Sequence, residues 1–329
     1  MRLPHELQLA IEQETAKVDR KLLVQASAQL TRQYQAADFA SPVITTAAQR
    51  AAYLAVRLPA TYAASWRVFS EIRRLAPEME IRSLLDLGAG PGTALFAGAE
   101  IFPGVQQATL LEADAALIDL GRGLAAQSSL PAVRSASWLR HDLRNGLPRS
   151  LHDVVVISYT LGELSPPSAE LLVRQAWSCA NDLLVVIEPG AMRGFGVVQA
   201  ARSLLIASGA NILAPCPHAA ACPLAGSAHD WCHFAQRVER TSQHRQLKGG
   251  ALGYEDEKFS YVVAARRSVP SARARILRHP RKLSGHVQLT LCGPHGLESL
   301  TITRSQKSSY KLARKAQWGD AWDAPGKTP

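Results

Sequence analysis

No apolar run in this 329-residue chain approaches the roughly 20 residues that cross a bilayer, which excludes a membrane-spanning helix. Its first residues, MRLPHELQLAIEQETAKVDRK, lack the uninterrupted apolar core of a secretory signal, so a cytoplasmic setting away from membranes is expected. Internal repeats and low-complexity tracts are missing, which argues against solenoid and tail-like architectures. Cysteine is scarce at five residues, too few for a disulfide scaffold, and in a reducing setting thiols more often serve as metal ligands or catalytic groups. Acidic residues are nearly absent from one stretch. Between Ala264 and Ala316 only Glu298 opposes Arg266, Arg267, Arg273, Arg275, Arg278, Arg281, Lys282, Arg304, Lys307, Lys311, Arg314 and Lys315. The formal charge of +10 is therefore concentrated near the C-terminus, which favours a polyanionic partner, RNA, over a merely solubilising surface.

Apolar residues make up 47% of the chain, enough for one large core and smaller ones beside it. Residues 1–80 carry helical spacing, with Leu7, Leu9, Ile11 and Val18 followed by alanine-rich segments punctuated at Pro42 and Pro59. This region is expected to be a helical cap on the next domain. From residue 81 to 268 short apolar runs alternate with helix-like segments: SLLDLG, ATLLEAD, ASWLRHDL, DVVVISYTL, DLLVVIEPG and FSYVVAARR. Such alternation predicts an α/β domain with a parallel sheet covered by helices. A cysteine-containing insertion at 210–250 separates the fifth run from the sixth. Residues 269–329 form a basic module in which HVQLTLCG and LESLTITRS predict a hairpin.

The segment LLDLGAGPGTA reads as a strand, a glycine-rich turn and a helix start. Gly88, Gly90 and Gly92 allow close backbone approach to a ligand. The acidic Asp86 before the turn, and Pro91 within it, favour S-adenosylmethionine over a dinucleotide. Asp86 is placed for the amino end of that cofactor, Glu112 for its ribose hydroxyls, and Asp142 for its adenine. The fourth run ends in ISYTLGEL, without the Asp-Pro-Pro-Tyr motif of base N-methyltransferases and without a nucleophilic cysteine. Tyr159, Glu163 and Glu188 are candidates for the pocket mouth, or simply loop and cap residues, and no catalytic residue can be named.

Cys216, Cys222 and Cys232 lack the short spacing of zinc knuckles. With prolines 215, 217 and 223 beside them and Cys292 far downstream, they suit an iron–sulfur cluster. A zinc site using one of His218, His229 and His233 is the alternative. Cys179, in an apolar helix-like run, reads as a buried thiol.

The stretches CPHAAACPL, WCHFAQRVER, YEDEKFSYVVAAR, RHPRKLSGHVQLTLCGPHGLE and YKLARKAQWGDAW, with PATYAASWRVFSEI upstream, resemble the methyltransferase-like small-ribosomal-subunit assembly factors of mitochondria and their bacterial homologues. The resemblance covers roughly residues 50–322. It implies a class I, Rossmann-like fold of the S-adenosylmethionine-dependent methyltransferases, with the cofactor at Asp86, Gly88, Gly90, Gly92 and Glu112. It implies a [4Fe-4S] cluster on Cys216, Cys222, Cys232 and Cys292, and association with the small subunit and its 16S-type rRNA. The protein is expected to be monomeric off the ribosome. It leaves open whether methyl transfer to rRNA occurs. The alternatives are a small-molecule or protein methyltransferase with structural zinc, or a catalytically inactive RNA-binding factor.

Overall fold

The computed structural model describes residues 1–36, 44–248 and 252–323, so Pro42 and the last residues of the 210–250 segment lie outside the described residues. Four helices come first: α1 (His5–Ala16), α2 (Arg20–Ala36), α3 (Ala47–Val56) and α4 (Leu58–Leu75). Thr46 starts α3 through a capping box with Gln49, which satisfies donors at the helix start. The central domain follows as β1 (Ser83–Leu87), α5 (Thr93–Ile101), β2 (Gln107–Glu112), α6 (Ala115–Ala125), α7 (Pro131–Arg134), β3 (Ser137–Arg140), β4 (His152–Ser158), α8 (Pro166–Cys179), β5 (Ala180–Pro189) and α9 (Met192–Ala207). The chain then adds β6 (Asn211–Ala214), β7 (Phe234–Glu239), α10 (Ser242–Lys248) and β8 (Tyr254–Ala265).

Among the described residues the main sheet has eight strands in the order β3-β2-β1-β4-β5-β8-β6, with β7 also paired to β8. The pairs from β3 to β5 are parallel, and β8 runs antiparallel to β5. Leu84, Leu85, Val154–Ile157 and Leu183–Ile187 are fully buried, because helices cover both faces of the sheet. This is the class I methyltransferase architecture. Order reverses between β1 and β4, and ligands in such sheets bind outside the carboxyl ends of the strands at that point.

Residues 210–250, read in the sequence as an insertion, contain two strands around a loop. Asn211–Ala214 and Phe234–Glu239 are strands, and both occupy the edge of β8 that faces away from β5. The inserted loop is thus residues 215–233, which leaves the sheet edge between β6 and β7.

The C-terminal module contains β9 (Arg275–Ile276), β10 (Arg281–Lys282), β11 (His286–Gly293), β12 (Gly296–Thr303) and α11 (Lys307–Lys315). β11 and β12 form the hairpin, and Ile276, Val287, Leu289, Leu291, Ile302, Ala313 and Trp322 form a separate small core.

Packing around Trp138 is tight. A Cβ on Gly121 would lie 2.2 Å from Trp138 Cη2, and one on Gly92 2.8 Å from the same atom. Gly121→Ala is expected to destabilise the chain by about 1–3 kcal/mol, as overpacking does, measured by urea unfolding. An unchanged midpoint would show that the indole shifts freely.

Candidate cofactor site and thiol pocket

The glycine turn is built against the end of β2. The backbone N–H groups of Gly88 and Ala89 both donate to the Leu111 carbonyl, at 2.9 and 3.1 Å. Gly88 adopts φ +71, and a Cβ there would fall 2.6 Å from Thr160 Cγ2. Gly92 caps α5 at φ +83, again a left-handed conformation that favours glycine. The Gly90 N–H donates to Glu112 Oε2 at 2.8 Å, and Asp114 N–H donates to Oε1 at 2.9 Å. Glu112 is thus oriented by backbone donors, with acceptor capacity left on each oxygen.

Asp86 is 2% exposed and its Oδ2 has no partner. Burial, then the neighbouring Glu112 charge, raises its pKa to about 7. Glu163 is raised to about 7 by the same two causes. Glu188 is raised to about 7 by burial, although its Oε1 accepts the N–H groups of Thr160 and Leu161 at 3.1 and 2.8 Å. Glu188 therefore lies under the loop after β4 and shapes it. These acids favour their protonated forms in the fold, so their contribution to stability falls as pH rises from about 4 through about 7. A cation entering the site would offset that loss.

Tyr159 holds φ +58, the one non-glycine residue with positive φ among the described residues. Its hydroxyl donates to Glu257 Oε1 at 2.9 Å, and Arg57 Nη2 lies 3.9 Å from the same oxygen. This strained residue stands where the sheet order reverses, a place where strain accompanies function. Asp142 is placed differently. Its carboxylate is gripped by Arg144, with Nε to Oδ1 at 2.9 Å and Nη2 to Oδ2 at 2.6 Å, and this bond lowers its pKa to about 2. Its side chain is already committed.

Cys216, Cys222, Cys232 and Cys292 line a single pocket, together with Arg202, Arg275, Leu224, Phe195 and Tyr261. Three of the thiols come from the 215–233 loop and the fourth from β11, so the pocket joins the sheet edge to the C-terminal module. Burial pushes the Cys216 thiol up, partly offset by Arg202, and pushes Cys232 well up, with further upward pressure from Cys216, Cys222 and Cys292. Cys292 is pushed up to about 12 by burial and then by Cys216 and Cys222. His218 Nε2 lies 3.6 Å from Cys292 Sγ. His233 instead stacks on Trp231, with ring centroids 5.2 Å apart, and His229 is exposed. Among the described residues no three histidine, cysteine, aspartate or glutamate side chains are placed to hold a metal ion. The thiols share a pocket without forming a finished coordination sphere. Cys179 lies apart at the end of α8, buried, with its Sγ 3.6 Å from the Pro148 carbonyl.

The family model of the mitochondrial small ribosomal subunit protein Rsm22 matches residues 47–323. The chain belongs to the Rsm22 family. The human mitochondrial ribosome assembly protein METTL17 is 30% identical over 288 residues, covering 82% of this chain and 61% of that protein. The Rsm22-cox11 tandem protein 2, mitochondrial, of Schizosaccharomyces pombe is 28% identical over 338 residues, covering 84% of this chain and 43% of that protein. The chain thus spans about half the length of these relatives. Among solved structures, magnesium protoporphyrin IX methyltransferase from Synechocystis is 11% identical at TM-score 0.43, covering 76% of this chain and all of that one. The mitomycin 7-O-methyltransferase MmcR is 16% identical at TM-score 0.40, covering 71% of this chain and 66% of that one. These likenesses are weak, and the fold assignment rests on the strand order itself.

In this Rsm22-family chain the cations of the basic segment divide by their partners. Four of its twelve cations are used internally. Arg266 donates to the Ala180 carbonyl and covers the Trp177 ring, Arg267 pairs with Asp182, Arg275 with Glu71, and Arg278 with Asp230. The other eight are exposed: Arg273 before β9, Arg281 and Lys282 on β10, Arg304 after β12, and Lys307, Lys311, Arg314 and Lys315 on α11.

Proposed function

We propose that this chain binds S-adenosylmethionine at the glycine turn and acts with the small ribosomal subunit, its basic module contacting rRNA. The observation that carries the cofactor reading is the buried, unpartnered Asp86 oxygen at the strand-order reversal, beside the Glu112-bound glycine turn. S-adenosylmethionine brings a sulfonium and an ammonium cation, which answer the excess of carboxyls. Glu112 fits the ribose hydroxyls with the lone pairs its backbone donors leave over. Asp142 would border the adenine, its carboxylate held by Arg144. We assign no residue to methyl transfer. Titration calorimetry with S-adenosylmethionine tests the site. Affinity is expected to rise from pH 6 to 7.5 as the acids near 7 ionise, with a shallower rise in Glu163→Gln. A flat profile, or no binding, would contradict it.

The same proposal places a [4Fe-4S] cluster in the thiol pocket. The donor set fits: four thiols, two guanidiniums that offset thiolate charge, and no carboxylate among the lining residues. When bound, such a group would cross-link the 215–233 loop to β11 through its iron–sulfur bonds. Cys216, Cys222, Cys232 and Cys292 would hold it, and Leu224 and Phe195 would exclude water. The lack of a finished coordination sphere means that the thiols must turn inward on loading. The rival is zinc held by three of the thiols and His218. Brown colour and iron on anaerobic reconstitution support the cluster, whereas a colourless chain carrying zinc removes it.

A further inference from the structure

Arg275 is 1% exposed, and its guanidinium reaches three separate parts of the chain. Nε donates to the Pro215 carbonyl at 3.0 Å, next to Cys216, and Nη1 donates to the Gly319 carbonyl at 3.1 Å. Nη2 lies 2.7 Å from Glu71 Oε1 on α4, itself 4% exposed. Its backbone pairs in register with Cys292 across β9 and β11. Its side chain also lines the pocket that holds all four thiols. Around this centre α4 grips the end of the chain twice more, through Arg67 to Asp320 at 2.7 Å and Arg74 to Asp323 at 3.2 Å.

The charges are unevenly matched. Glu71 faces two guanidiniums, because Arg74 Nη2 is 2.9 Å from the same Oε1 that Arg275 meets. The Asp323 carboxylate beside Arg74 is half exposed and screened by water. Glu71 thus does not cancel Arg275, which keeps positive charge toward the thiols. Arg202, 4% exposed, lines the same pocket and holds the His218 and Ala220 carbonyls, each at 2.8 Å.

We propose that Arg275 is the positioning residue of the thiol pocket, fixing the Cys216 loop, the Cys292 strand and α4 to one another while its charge stabilises the anionic thiolate site. This rests on the reading of the pocket as an iron–sulfur site. The fork of a guanidinium donates to two carbonyls while its remaining nitrogen pairs with a carboxylate in a third direction, which a lysine ammonium on a flexible stem does not do. A fixed positive charge in a poorly solvated wall favours the more negative, reduced state of an anionic site. The two roles therefore separate by substitution. Arg275→Gln removes charge and fork, and Arg275→Lys removes the fork alone.

The test reconstitutes the full chain and its variants anaerobically with iron and sulfide. It reads iron per chain, loss of visible absorption to a chelator, reduction potential, and tryptic cleavage between the sheet and the C-terminal module. Arg275→Gln is expected to lose its absorption at least about tenfold faster than the natural chain and to titrate at a more negative potential. Arg275→Lys should keep a potential near that of the natural chain, yet expose the module to trypsin as Arg275→Gln does. Where Arg275→Gln does not fold, Arg275→Lys decides by the same two readings. A natural chain that takes up no iron overturns the reading of the pocket, and this proposal with it. A natural chain that loads, beside variants matching it in potential and cleavage, overturns the proposal alone.

Discussion

Cys232→Ser is expected to reduce iron from about four atoms per chain to under one and to abolish the visible absorption of the reconstituted protein. Cys232 comes from the 215–233 loop, lines the same pocket as Cys292 of β11, and its carbonyl accepts the Ser260 hydroxyl at 2.8 Å on the sheet edge. Cys232 is thus anchored through its backbone to the methyltransferase-like body and shares a pocket with Cys292 of the C-terminal module. The loop has little core of its own, with Leu224 as its main buried apolar side chain. Where a bound group cross-links such segments, its binding energy becomes folding energy. Cys232→Ser should therefore also lower the thermal midpoint of the reconstituted chain, while the iron-free forms of natural and variant protein melt together. Cys179→Ser is the control: Cys179 lies apart at the end of α8 and should leave iron and colour unchanged. Equal iron in natural and Cys232→Ser protein would remove this thiol from the pocket's ligands.

The second large effect concerns the cofactor. Asp86→Asn keeps the shape of the side chain and removes the charge at the strand-order reversal. A charged hydrogen bond of this kind contributes about 2 kcal/mol, so S-adenosylmethionine affinity should fall about 30-fold by calorimetry. Stability should move the other way. Asp86 is held at about 7 by burial and Glu112, so above pH 7 the fold carries a buried carboxylate that the asparagine lacks. Without cofactor, Asp86→Asn should melt no lower than the natural chain at pH 8, and its advantage should shrink toward pH 5. Loss of affinity together with loss of stability at pH 8 would mark Asp86 as a packing residue instead.

Much of the fold is legible in sequence because β1 to β5 and β8 are short apolar runs bounded by helix-like segments, and because the glycine turn sits at their first boundary. The hairpin is legible for a similar reason, two alternating runs around Gly293 and Gly296. β6 and β7 escape notice. NILA is too short to carry a period, and FAQRVE buries only Phe234 and Val238 because it lies at the sheet edge. The thiol set is visible as residue types, but its shared pocket depends on the loop leaving the sheet between β6 and β7. The buried pair of Glu71 and Arg275 cannot be seen in sequence at all. One member sits in a helix of ordinary charge pattern, the other among twelve cations that look alike until folding buries Arg275 alone of the four that find partners within the chain. Glu188 reads in sequence as either a pocket-mouth residue or a strand-end cap. Its buried carboxylate, accepting two backbone N–H groups, gives it the structural role.

The most direct test of the central claim is co-sedimentation of the purified chain with isolated small and large ribosomal subunits across a salt series. Binding to the small subunit in preference to the large is predicted, weakening steeply as salt rises. Replacing Lys307, Lys311, Arg314 and Lys315 with glutamate should weaken binding and flatten the salt slope by about one unit for each phosphate that is no longer neutralised. Equal or absent binding to the two subunits, or a slope untouched by those four changes, would contradict it.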